Sequence, residues 1–323
     1  MASVKTKTMK AIVYLANNSL SWQEVAVPSA KPGEVLIRVA SVGICGSELS
    51  ALEERTEYRV PPLIMGHEFS GTRVDTTERV TVNPLISCGT CDFCTARKPQ
   101  LCATRSLIGV HRSGAFAEYV TAPVQNVVVL PGNVSWVQAA LAEPMATVVH
   151  FMRELDTRQV KRLGIIGTGG IGMLTLLAAR ASGFEHIEVA ELLPVRRGLA
   201  LECGATTAVA NLEGEFGAIV DAVGASATRA NSVAHLERGG RAIWVGLHSD
   251  ECSLTCVRDL IRKECTVATS FAYSNEDFRR AVELLANLDI SRVVQEMPFA
   301  SGLEAFEQLA AGKVAAPKIH LVM

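Results

Sequence analysis

Four cysteines lie close together in one short part of the chain, with the spacing C-x2-C-x2-C-x7-C; they are Cys88, Cys91, Cys94 and Cys102. Thiolates two residues apart in a turn can bind one ion, and four complete a closed tetrahedral zinc shell. An iron–sulfur cluster is the rival hypothesis, but the ferredoxin run ends in C-x3-C-P, and here the last gap is longer and Ala103 follows. Four packed core cysteines fit such a loop poorly. The spacing favours a structural zinc lobe at about 86–104 that does no chemistry itself.

A glycine-rich segment has the pattern G-x-G-x-x-G, and its glycines are Gly167, Gly169, Gly170 and Gly172. It follows an apolar run at 163–166, which is a predicted strand, and it opens a predicted helix at 171–182. This is the context that a dinucleotide site requires. The glycines let the backbone approach a pyrophosphate at the helix N-terminus. The pattern therefore predicts binding of NAD or NADP.

Glu191 is the acid expected to bind the adenosine ribose, because it ends the next predicted strand, about twenty residues after the loop. Its ordinary interpretation is a solvated acid at a strand end, and Glu188 is a rival acid inside the strand. A carboxylate here repels a 2′-phosphate, which favours NAD over NADP. Arg196 and Arg197 weaken this prediction, because nearby arginines can accept that phosphate.

A second set of possible zinc ligands is spread along the chain. Cys45 lies in G-I-C-G-S-E, His67 and Glu68 lie in G-H-E-F, and Glu143 lies in A-E-P-M. Singly, they have ordinary interpretations as a buried thiol, a surface histidine and a helix-end acid. Together, a cysteine, a histidine and a carboxylate form a three-ligand zinc site with a position open for water or substrate.

The predicted elements that must position these residues follow two different patterns along the chain. Up to about Pro144 the sequence predicts short strands and turns, and from about Leu163 strands and helices alternate. The predicted strands are 35–39, 79–82, 126–130, 163–166, 186–190, 218–220, 242–245 and 318–322, and the predicted helices are 171–182, 194–203, 276–288 and 303–311. The alternating part predicts an α/β fold with a doubly wound parallel sheet.

Length and composition exclude several classes of protein. A chain of 323 residues suggests about two domains, and 49% hydrophobic with 20% charged residues is typical of a folded globular protein. With 31 basic and 33 acidic residues and 5% aromatics, the chain lacks the charge and the stacking surface of a nucleic-acid binder. We therefore expect a small-molecule substrate and neither nucleic acid nor membrane as partner.

Two segments bear on membranes and compartment. The uncharged run 163–179 is at the lower limit of a membrane span, but its five glycines fit a strand, a turn and a buried helix better. The apolar run 11–16 is too short for a secretory signal. Nine cysteines, an odd number with four clustered, suggest metal ligands in a reducing compartment. These features predict a cytoplasmic protein.

Taken in order, the motifs resemble those of the zinc-dependent medium-chain dehydrogenase/reductase superfamily, on its sorbitol (polyol) dehydrogenase branch. The resemblance covers nearly the whole chain: G-I-C-G-S, G-H-E-F-S-G at 66–71, the four-cysteine lobe, G-A-F-A-E-Y-V at 114–120, E-P at 143–144 and the glycine loop. It implies a mostly-β, GroES-like catalytic domain at 1–146 and 271–323, and a Rossmann NAD-binding domain at 147–270.

The resemblance also implies residue roles. Catalytic zinc would be held by Cys45, His67 and Glu143, with Glu68 as an occasional ligand or neighbouring acid. Ser47 would take the proton of the alcohol, although its ordinary interpretation is a turn hydroxyl. Residues implied along the cofactor are Ile171, Arg196 and Gly246, and more weakly Val223 and Phe271. A homodimer or homotetramer is implied, with the strand at 266–271 as contact edge.

Several positions depart from the family pattern. Many relatives have Asp at Glu48 and a proton-relaying His at Ser50, so the relay here is shorter, uses water or differs. Sorbitol-type enzymes often carry Phe-Arg-Tyr where this chain has Phe271-Ala272-Tyr273. The segment 72–78 is shorter than usual, which should trim a surface turn.

The expected activity is hydride transfer between NAD and a secondary alcohol of a polyol-, polyol-phosphate- or cyclitol-like substrate, with zinc lowering the pKa of the hydroxyl. A threonine-type or simple secondary-alcohol dehydrogenase is the alternative, since the arginine is missing. A non-catalytic nucleotide-binding member is a further alternative, which predicts one bound zinc instead of two. A zinc-module nucleic-acid binder is disfavoured by the charge balance.

Overall fold

The computed structural model describes residues 7–16, 18–53, 57–156 and 158–323. The chain forms two compact units. Unit 1 comprises Met1–Ala146, Tyr273–Val314 and Lys318–Met323, and unit 2 comprises Thr147–Ala272 and Ala315–Pro317. Unit 1 contains most of the part predicted as short strands and turns, and unit 2 contains the part in which strands and helices alternate.

Unit 1 consists mainly of β-structure. Its strands are β1 (Thr8–Tyr14), β2 (Leu20–Ala26), β3 (Glu34–Gly43), β4 (Leu63–Ile64), β5 (Glu68–Arg73), β6 (Arg79–Val82), β7 (Leu85–Ile86), β8 (Ser106–Leu107), β9 (Tyr119–Pro123), β10 (Val127–Val129), β17 (Val294–Pro298) and β18 (Lys318–Val322). Its helices are α1 (Gly46–Glu53), α2 (Asp92–Thr95), α3 (Trp136–Ala140), α9 (Asn275–Leu285) and α10 (Gly302–Ala310), with 3₁₀ turns at Pro99–Leu101, Val124–Asn126 and Phe299–Ser301. Helix α4 (Ala142–Met152) begins in unit 1 and ends in unit 2.

Strand β3 is the central element of unit 1. It pairs antiparallel with β5, β9 and β18 within a seven-stranded sheet. Its inward residues, among them Ile37, Val39 and Val42, are almost completely buried. The register matters for the site, because Gly43 lies opposite Glu68 on one side and opposite His320 on the other. Residues from the start and the end of the chain therefore meet at the end of β3.

Unit 2 is built on a six-stranded parallel sheet. Its strands are β11 (Arg162–Ile166), β12 (His186–Ala190), β13 (Thr207–Val209), β14 (Phe216–Asp221), β15 (Leu236–Trp244) and β16 (Thr266–Thr269), in the order β13-β12-β11-β14-β15-β16. Its helices are α5 (Gly170–Ala181), α6 (Pro194–Glu202), α7 (Ser226–Ala234) and α8 (Val257–Arg262). All five strand pairs are parallel, which confirms the doubly wound sheet that the alternating pattern predicted.

The apolar run 163–179 forms β11, the glycine turn and most of α5, as its glycines indicated. Eight consecutive residues of α5 are buried, from Gly172 to Ala179, which explains a helix that is apolar on all faces. Over the described residues, the helices are too short or too polar to cross a bilayer.

Candidate functional site

The four clustered cysteines converge on one point in unit 1. Their Sγ atoms all lie within 4.8 Å of one another. The Sγ of Cys88 is 3.8 Å from that of Cys94 and 3.6 Å from that of Cys102. A tetrahedral zinc ion with bonds of about 2.3 Å to sulfur separates its ligands by about 3.8 Å. The cluster therefore has the dimensions of a four-thiolate zinc shell.

Backbone donors around the cluster favour thiolates. The backbone N–H groups of Thr90 and Cys91 donate to Cys88 Sγ and lower the pKa of that thiol to about 5. The backbone N–H of Cys94 favours the Cys91 thiolate, but burial and the other three thiols raise the pKa of Cys91 to about 11. Without a cation, the crowding of four sulfurs thus disfavours full ionisation. A dication removes this conflict.

A second convergent group consists of Cys45, His67 and Glu68, whose potential ligand atoms also lie within 4.8 Å of one another. Cys45 lies in the link between β3 and α1, and His67 and Glu68 lie at the start of β5. Strand pairing brings these two places together, since Gly43 lies opposite Glu68. His67 and Glu68 are buried, and Cys45 is partly buried. A thiolate, an imidazole and a carboxylate in a buried setting suit zinc.

Glu48 orients this group from the first turns of α1. One of its carboxylate oxygens accepts the backbone N–H of Cys45 at 2.8 Å, and the other accepts that of Gly66 at 3.0 Å and lies 2.9 Å from Nδ1 of His67. The contact is an ion pair, and it is not aligned as a hydrogen bond, since Nδ1 has no hydrogen-bond partner among the described residues. With Nδ1 beside Glu48, Nε2 is the nitrogen of His67 left for a metal ion. Burial opposes both charges, but the attraction between Glu48 and His67 lowers the pKa of Glu48 and raises that of His67.

Two further groups from the C-terminal part of unit 1 contact the acids of this site. Lys318, buried on β18, forms an ion pair with Glu68 and donates to Ile44 O at 3.3 Å. The buried Tyr273 hydroxyl donates to Glu143 at 2.9 Å. Burial raises the pKa of Glu143, and the neighbouring Glu68 adds to that effect. Among the described residues, Glu143 is not part of the convergent metal-ligand group.

The residues implied in proton transfer lie on α1. Ser47 is exposed, and its Oγ accepts a hydrogen bond of 2.9 Å from Arg59. The Ser50 hydroxyl donates to the carbonyl of Gly46 at 3.2 Å, within its own helix. Ser50 therefore makes a local backbone bond and does not extend a relay from Ser47.

The glycine loop of unit 2 fits a pyrophosphate. Gly169 caps α5 without a side-chain hydrogen bond, and a Cβ on it would meet no atom within 4 Å, so the helix N-terminus is open. At position 172 glycine is required for steric reasons, because a Cβ there would lie 1.8 Å from the carbonyl oxygen of Gly167. Gly167 itself has φ +88° and packs against Val223. Gly170 and Ile171 form the first turn of α5.

Glu191 ends up beside this loop, as its position after β12 predicted. One carboxylate oxygen accepts the backbone N–H and the hydroxyl of Thr168, at 3.0 and 2.7 Å, and the other accepts the N–H of Leu193 at 2.9 Å. Burial works against its charge, but these bonds and the nearby Arg196 lower the pKa of Glu191. Arg197 instead donates to the carbonyls of Glu191 and Leu192.

The other residues that the family resemblance implies along the cofactor are Gly246, Val223 and Phe271, and they differ in burial and contacts. Gly246 follows β15, and a Cβ there would lie 2.1 Å from the backbone carbon of Val223, so backbone packing alone requires glycine. The backbone N–H of Val223 donates to the buried Asp221 at 2.9 Å. Phe271 is 46% exposed and follows β16.

The two units together define a class of protein. Unit 1 carries a Cys-His-Glu group and a four-cysteine lobe, and unit 2 carries a dinucleotide loop on a doubly wound sheet. These are the sites found in a metal-dependent, dinucleotide-linked oxidoreductase. Comparisons with known proteins agree. The family model described as alcohol dehydrogenase GroES-like domain matches residues 31–132, and the one described as zinc-binding dehydrogenase matches residues 170–287.

Among similar proteins, the L-galactonate-5-dehydrogenase of Escherichia coli K12 is 28% identical, over 93% of this chain and 95% of its own. The D-arabitol-phosphate dehydrogenase of Enterococcus avium is 29% identical, over 95% and 96%. A solved structure of an alcohol dehydrogenase from E. coli CFT073, complexed with NADH, aligns with a TM-score of 0.88 at 25% identity over 98% of this chain and 100% of that one.

The chain belongs to the zinc-dependent medium-chain dehydrogenase/reductase superfamily, on its sorbitol dehydrogenase-like branch. It is an oxidoreductase of the alcohol dehydrogenase type, with a GroES-like domain and a Rossmann-like sheet. The family that the motifs indicated is thereby confirmed.

Three residues at the site were missed by sequence reasoning as functional residues: Arg59, Tyr273 and Lys318. Tyr273 was noted only beside a missing arginine. Lys318 offered one signal, a lysine at the start of an apolar terminal strand. Its burial depends on the pairing of β18 with β3, which spacing along the chain does not reveal.

Proposed function

We propose that the protein transfers hydride between NAD and a secondary alcohol of a polyol-, polyol-phosphate- or cyclitol-like substrate. The observation that carries this proposal is the convergence of Cys45, His67 and Glu68 in a buried group oriented by Glu48. The relatives named above act on a galactonate and an arabitol phosphate, which supports a polyol-type substrate.

The metal site is proposed to use Cys45 and His67 with one carboxylate. The family pattern names Glu143, with Glu68 as an occasional ligand, whereas the convergence of ligand atoms favours Glu68. Zinc, when bound, supplies a Lewis acid that lowers the pKa of the substrate hydroxyl. Glu48 holds the imidazole of His67, and Tyr273 holds the Glu143 carboxylate. Cys88, Cys91, Cys94 and Cys102 would hold the structural ion.

Oxidation of the alcohol releases one hydride and one proton. Ser47 is proposed to accept the proton and pass it to water, because its hydroxyl is exposed and Ser50 is bonded to its own helix. NAD, when bound, would supply the nicotinamide as the hydride acceptor. Its pyrophosphate would bind at the start of α5, against Gly167, Gly169, Gly170, Ile171 and Gly172. Its adenosine ribose would bind Glu191. The rest of the cofactor is proposed to lie along Arg196, Val223, Gly246 and Phe271.

The preference for NAD over NADP rests on Glu191. Its carboxylate is held in the ionised form by Thr168 and Leu193 and would repel a 2′-phosphate. Fluorescence titration should therefore give tighter binding of NADH than of NADPH. Tighter binding of NADPH would mean that Arg196 governs the choice.

The metal assignment is tested by metal analysis of purified variants beside turnover. Wild type should hold two zinc ions per chain, Cys45→Ser one and Cys94→Ser one, but only Cys45→Ser should remove turnover with the fold retained. Cys252→Ser, an exposed cysteine in unit 2, is the matched control and should keep both ions. Full activity in Cys45→Ser would overturn the proposed site, and one zinc in the wild type would favour a non-catalytic member.

Comparing Glu68→Gln with Glu143→Gln identifies the third ligand. Loss of the catalytic zinc in Glu68→Gln alone would agree with the geometry. The same loss in Glu143→Gln alone would agree with the family pattern.

A threonine-type or simple secondary-alcohol dehydrogenase is the second candidate. The observation in its favour is Ala272, where sorbitol-type relatives carry arginine; it follows the exposed Phe271 at φ +50°. Higher kcat/KM for threonine or for a simple secondary alcohol than for any polyol would favour it.

Location and oligomeric state are two further proposals. Nine cysteines, an odd number of which four have metal-ligand spacing, support a reducing, cytoplasmic location. Strand β16 ends the sheet of unit 2 and is the proposed contact edge of a homodimer or homotetramer. Size-exclusion chromatography with light scattering would give a monomer mass if the edge is not used.

A further inference from the structure

Arg59 is an unusual side chain in unit 1, because it is only 4% exposed and lacks a carboxylate partner among the described residues. Its guanidinium donates a hydrogen bond of 2.9 Å to the neutral hydroxyl of Ser47. Within the part of the chain that the structure describes, its buried Nε has no hydrogen-bond partner. A buried, unpaired cation is costly in a folded protein unless it is kept for a ligand.

The simplest structural explanation is that Arg59 balances the buried charge of Glu48. The two do attract each other, since Arg59 contributes to the lowered pKa of Glu48. However, the oxygens of Glu48 already accept the backbone N–H groups of Cys45 and Gly66 and contact His67. Charge balance therefore explains a cation in this region, but not a guanidinium that points at Ser47 with donors to spare.

Further polar groups surround Arg59. The ring of Tyr58 lies 5.9 Å from its guanidinium and stacks on the ring of His111, with the two ring centroids 6.2 Å apart. Burial lowers the pKa of His111, and the charges of Arg105 and Arg59 add to that effect; Arg105 itself donates to the carbonyl of Cys102 at 3.3 Å. Nδ1 of His111 accepts the backbone N–H of Leu107 at 3.0 Å, so the neutral ring carries its proton on Nε2 as a donor.

Solvent and small solutes can reach this group. Tyr58 is 53% exposed, and Ser47 and His111 are exposed as well, whereas Arg59, which contacts Ser47 and Tyr58, is buried. A buried guanidinium at the base of an accessible polar surface is well suited to a carboxylate or phosphate, whose oxygens match its fork of N–H groups. Ser47, the proposed proton acceptor, would then lie directly between the reacting alcohol and the bound anion.

We propose that Arg59, together with His111, forms an anion subsite beside Ser47, so that the natural substrate is a secondary alcohol that also carries a phosphate or a carboxylate. The inference rests on the proposed function and narrows its substrate class. Arg59 acts as a specificity residue that fixes one end of the substrate while the hydroxyl to be oxidised lies at the Cys45–His67–Glu68 group.

The test compares matched pairs of substrates on zinc-loaded wild type, Arg59→Gln and Arg59→Lys. One pair is D-arabitol with D-arabitol phosphate, and the other is galactitol with L-galactonate. Wild type should have the higher kcat/KM for a charged member. In Arg59→Gln the ratio of kcat/KM, charged over neutral, should fall about 10- to 100-fold, the value of one or two charge-assisted hydrogen bonds, and Arg59→Lys should restore part of it.

Arg112→Gln is the matched control. It removes the same charge from the neighbour of His111, but the guanidinium of Arg112 is bonded to Glu34 and Thr121. The ratio should stay as in wild type. A second readout needs no turnover: inorganic phosphate should raise the melting temperature of wild type above that in chloride of equal ionic strength, and it should not do so for Arg59→Gln.

The outcomes separate the subsite from the proposed function. An equal loss on charged and neutral substrates in Arg59→Gln, or a wild-type preference for the neutral members, would overturn the subsite and leave the dehydrogenase standing. No turnover of any substrate, with two zinc ions bound and phosphate still stabilising only wild type, would support the subsite and contradict the proposed substrates. Which charged member is preferred identifies phosphate or carboxylate as the anion.

Discussion

At the scale of single residues, the site depends on side chains that hold the acids of unit 1. Tyr273 donates to Glu143, Lys318 pairs with Glu68, and Glu48 contacts His67. Each contact joins two segments that are distant in sequence, apart from that of Glu48 with His67. A carboxylate without its partner here would be a buried charge with a strong tendency to take up a proton.

Replacing Tyr273 by Phe should reveal this dependence. The loss of the hydroxyl leaves Glu143 without that donor, which favours its protonated form, and we expect kcat/KM to fall about 10-fold or more, the value of a hydrogen bond to a charged group. Tyr14→Phe is the control, since it removes an equally buried hydroxyl that bonds Ala51 O at 3.0 Å. Equal activity in the two variants would contradict a role for Tyr273 at the site.

The sequence could single out Cys45, His67, Glu68 and the four clustered cysteines, which the structure brings together in two groups, because their types and motifs carry information by themselves. The sequence alone is enough to recognise closely spaced cysteines, a Gly-His-Glu run and a Glu-Pro pair. Arg59 and Lys318 are single cations without such a context, and most single cations in a chain are solvated. Their burial follows from strand and loop packing, which sequence spacing does not give.

At the scale of elements, the turn from β11 to α5 combines two separate demands for glycine. Gly172→Ala would place a methyl group 1.8 Å from a backbone oxygen, so we expect unit 2 to lose more than about 3 kcal/mol of stability or to fail to fold. Gly169→Ala meets no atom within 4 Å and should fold normally, yet it should weaken NADH binding at least 10-fold, because the methyl group fills the space for the pyrophosphate.

Urea unfolding and NADH fluorescence titration of the two glycine variants check this pair. Normal NADH affinity in Gly169→Ala would show that the pyrophosphate does not lie against the start of α5. A stable, cooperatively folded Gly172→Ala would contradict the close approach of helix and loop.

The pair Glu34–Arg112 joins the start of β3 to the loop before β9, at 2.6 Å. The hydrogen bond from Arg112 lowers the pKa of Glu34 below its usual 4.5. A carboxyl group with a lowered pKa in the folded protein stabilises the fold at pH values above its pKa in the unfolded chain. This stabilisation is lost as the pH falls through its pKa in the folded protein. Glu34→Gln should therefore cost up to about 1 kcal/mol at pH 7, and this cost should shrink steadily as the pH falls below the ordinary glutamate pKa of 4.5.

Urea midpoints of Glu34→Gln and wild type, measured from pH 7 to pH 3, test this sign. Glu296→Gln, an exposed glutamate on β17, is the control and should follow wild type throughout. A difference that grows as the pH falls would contradict the assigned direction.

At the scale of the whole molecule, most of the fold could be predicted, and the reason is physical. Aliphatic residues alternate with polar ones along 186–190 and 318–322, which is a strand pattern, and both strands were predicted at the bounds that the structure gives. Helices beginning at Pro194 and near Ser274 carry their own start signals. The sheet of unit 1 was harder, because β18 adds to β3 across more than 270 residues and no local signal specifies such a partner.

The reaction proposed for this chain is the oxidation of a secondary alcohol of a polyol-type substrate with NAD. The most direct measurement is NAD reduction by the zinc-loaded protein across polyols, polyol phosphates, sugar acids, cyclitols, threonine and simple secondary alcohols, beside Cys45→Ser. We predict turnover of a polyol-type member, fastest with a charged one, and none in Cys45→Ser. Turnover confined to threonine or simple alcohols, or equal turnover in Cys45→Ser, would contradict the claim.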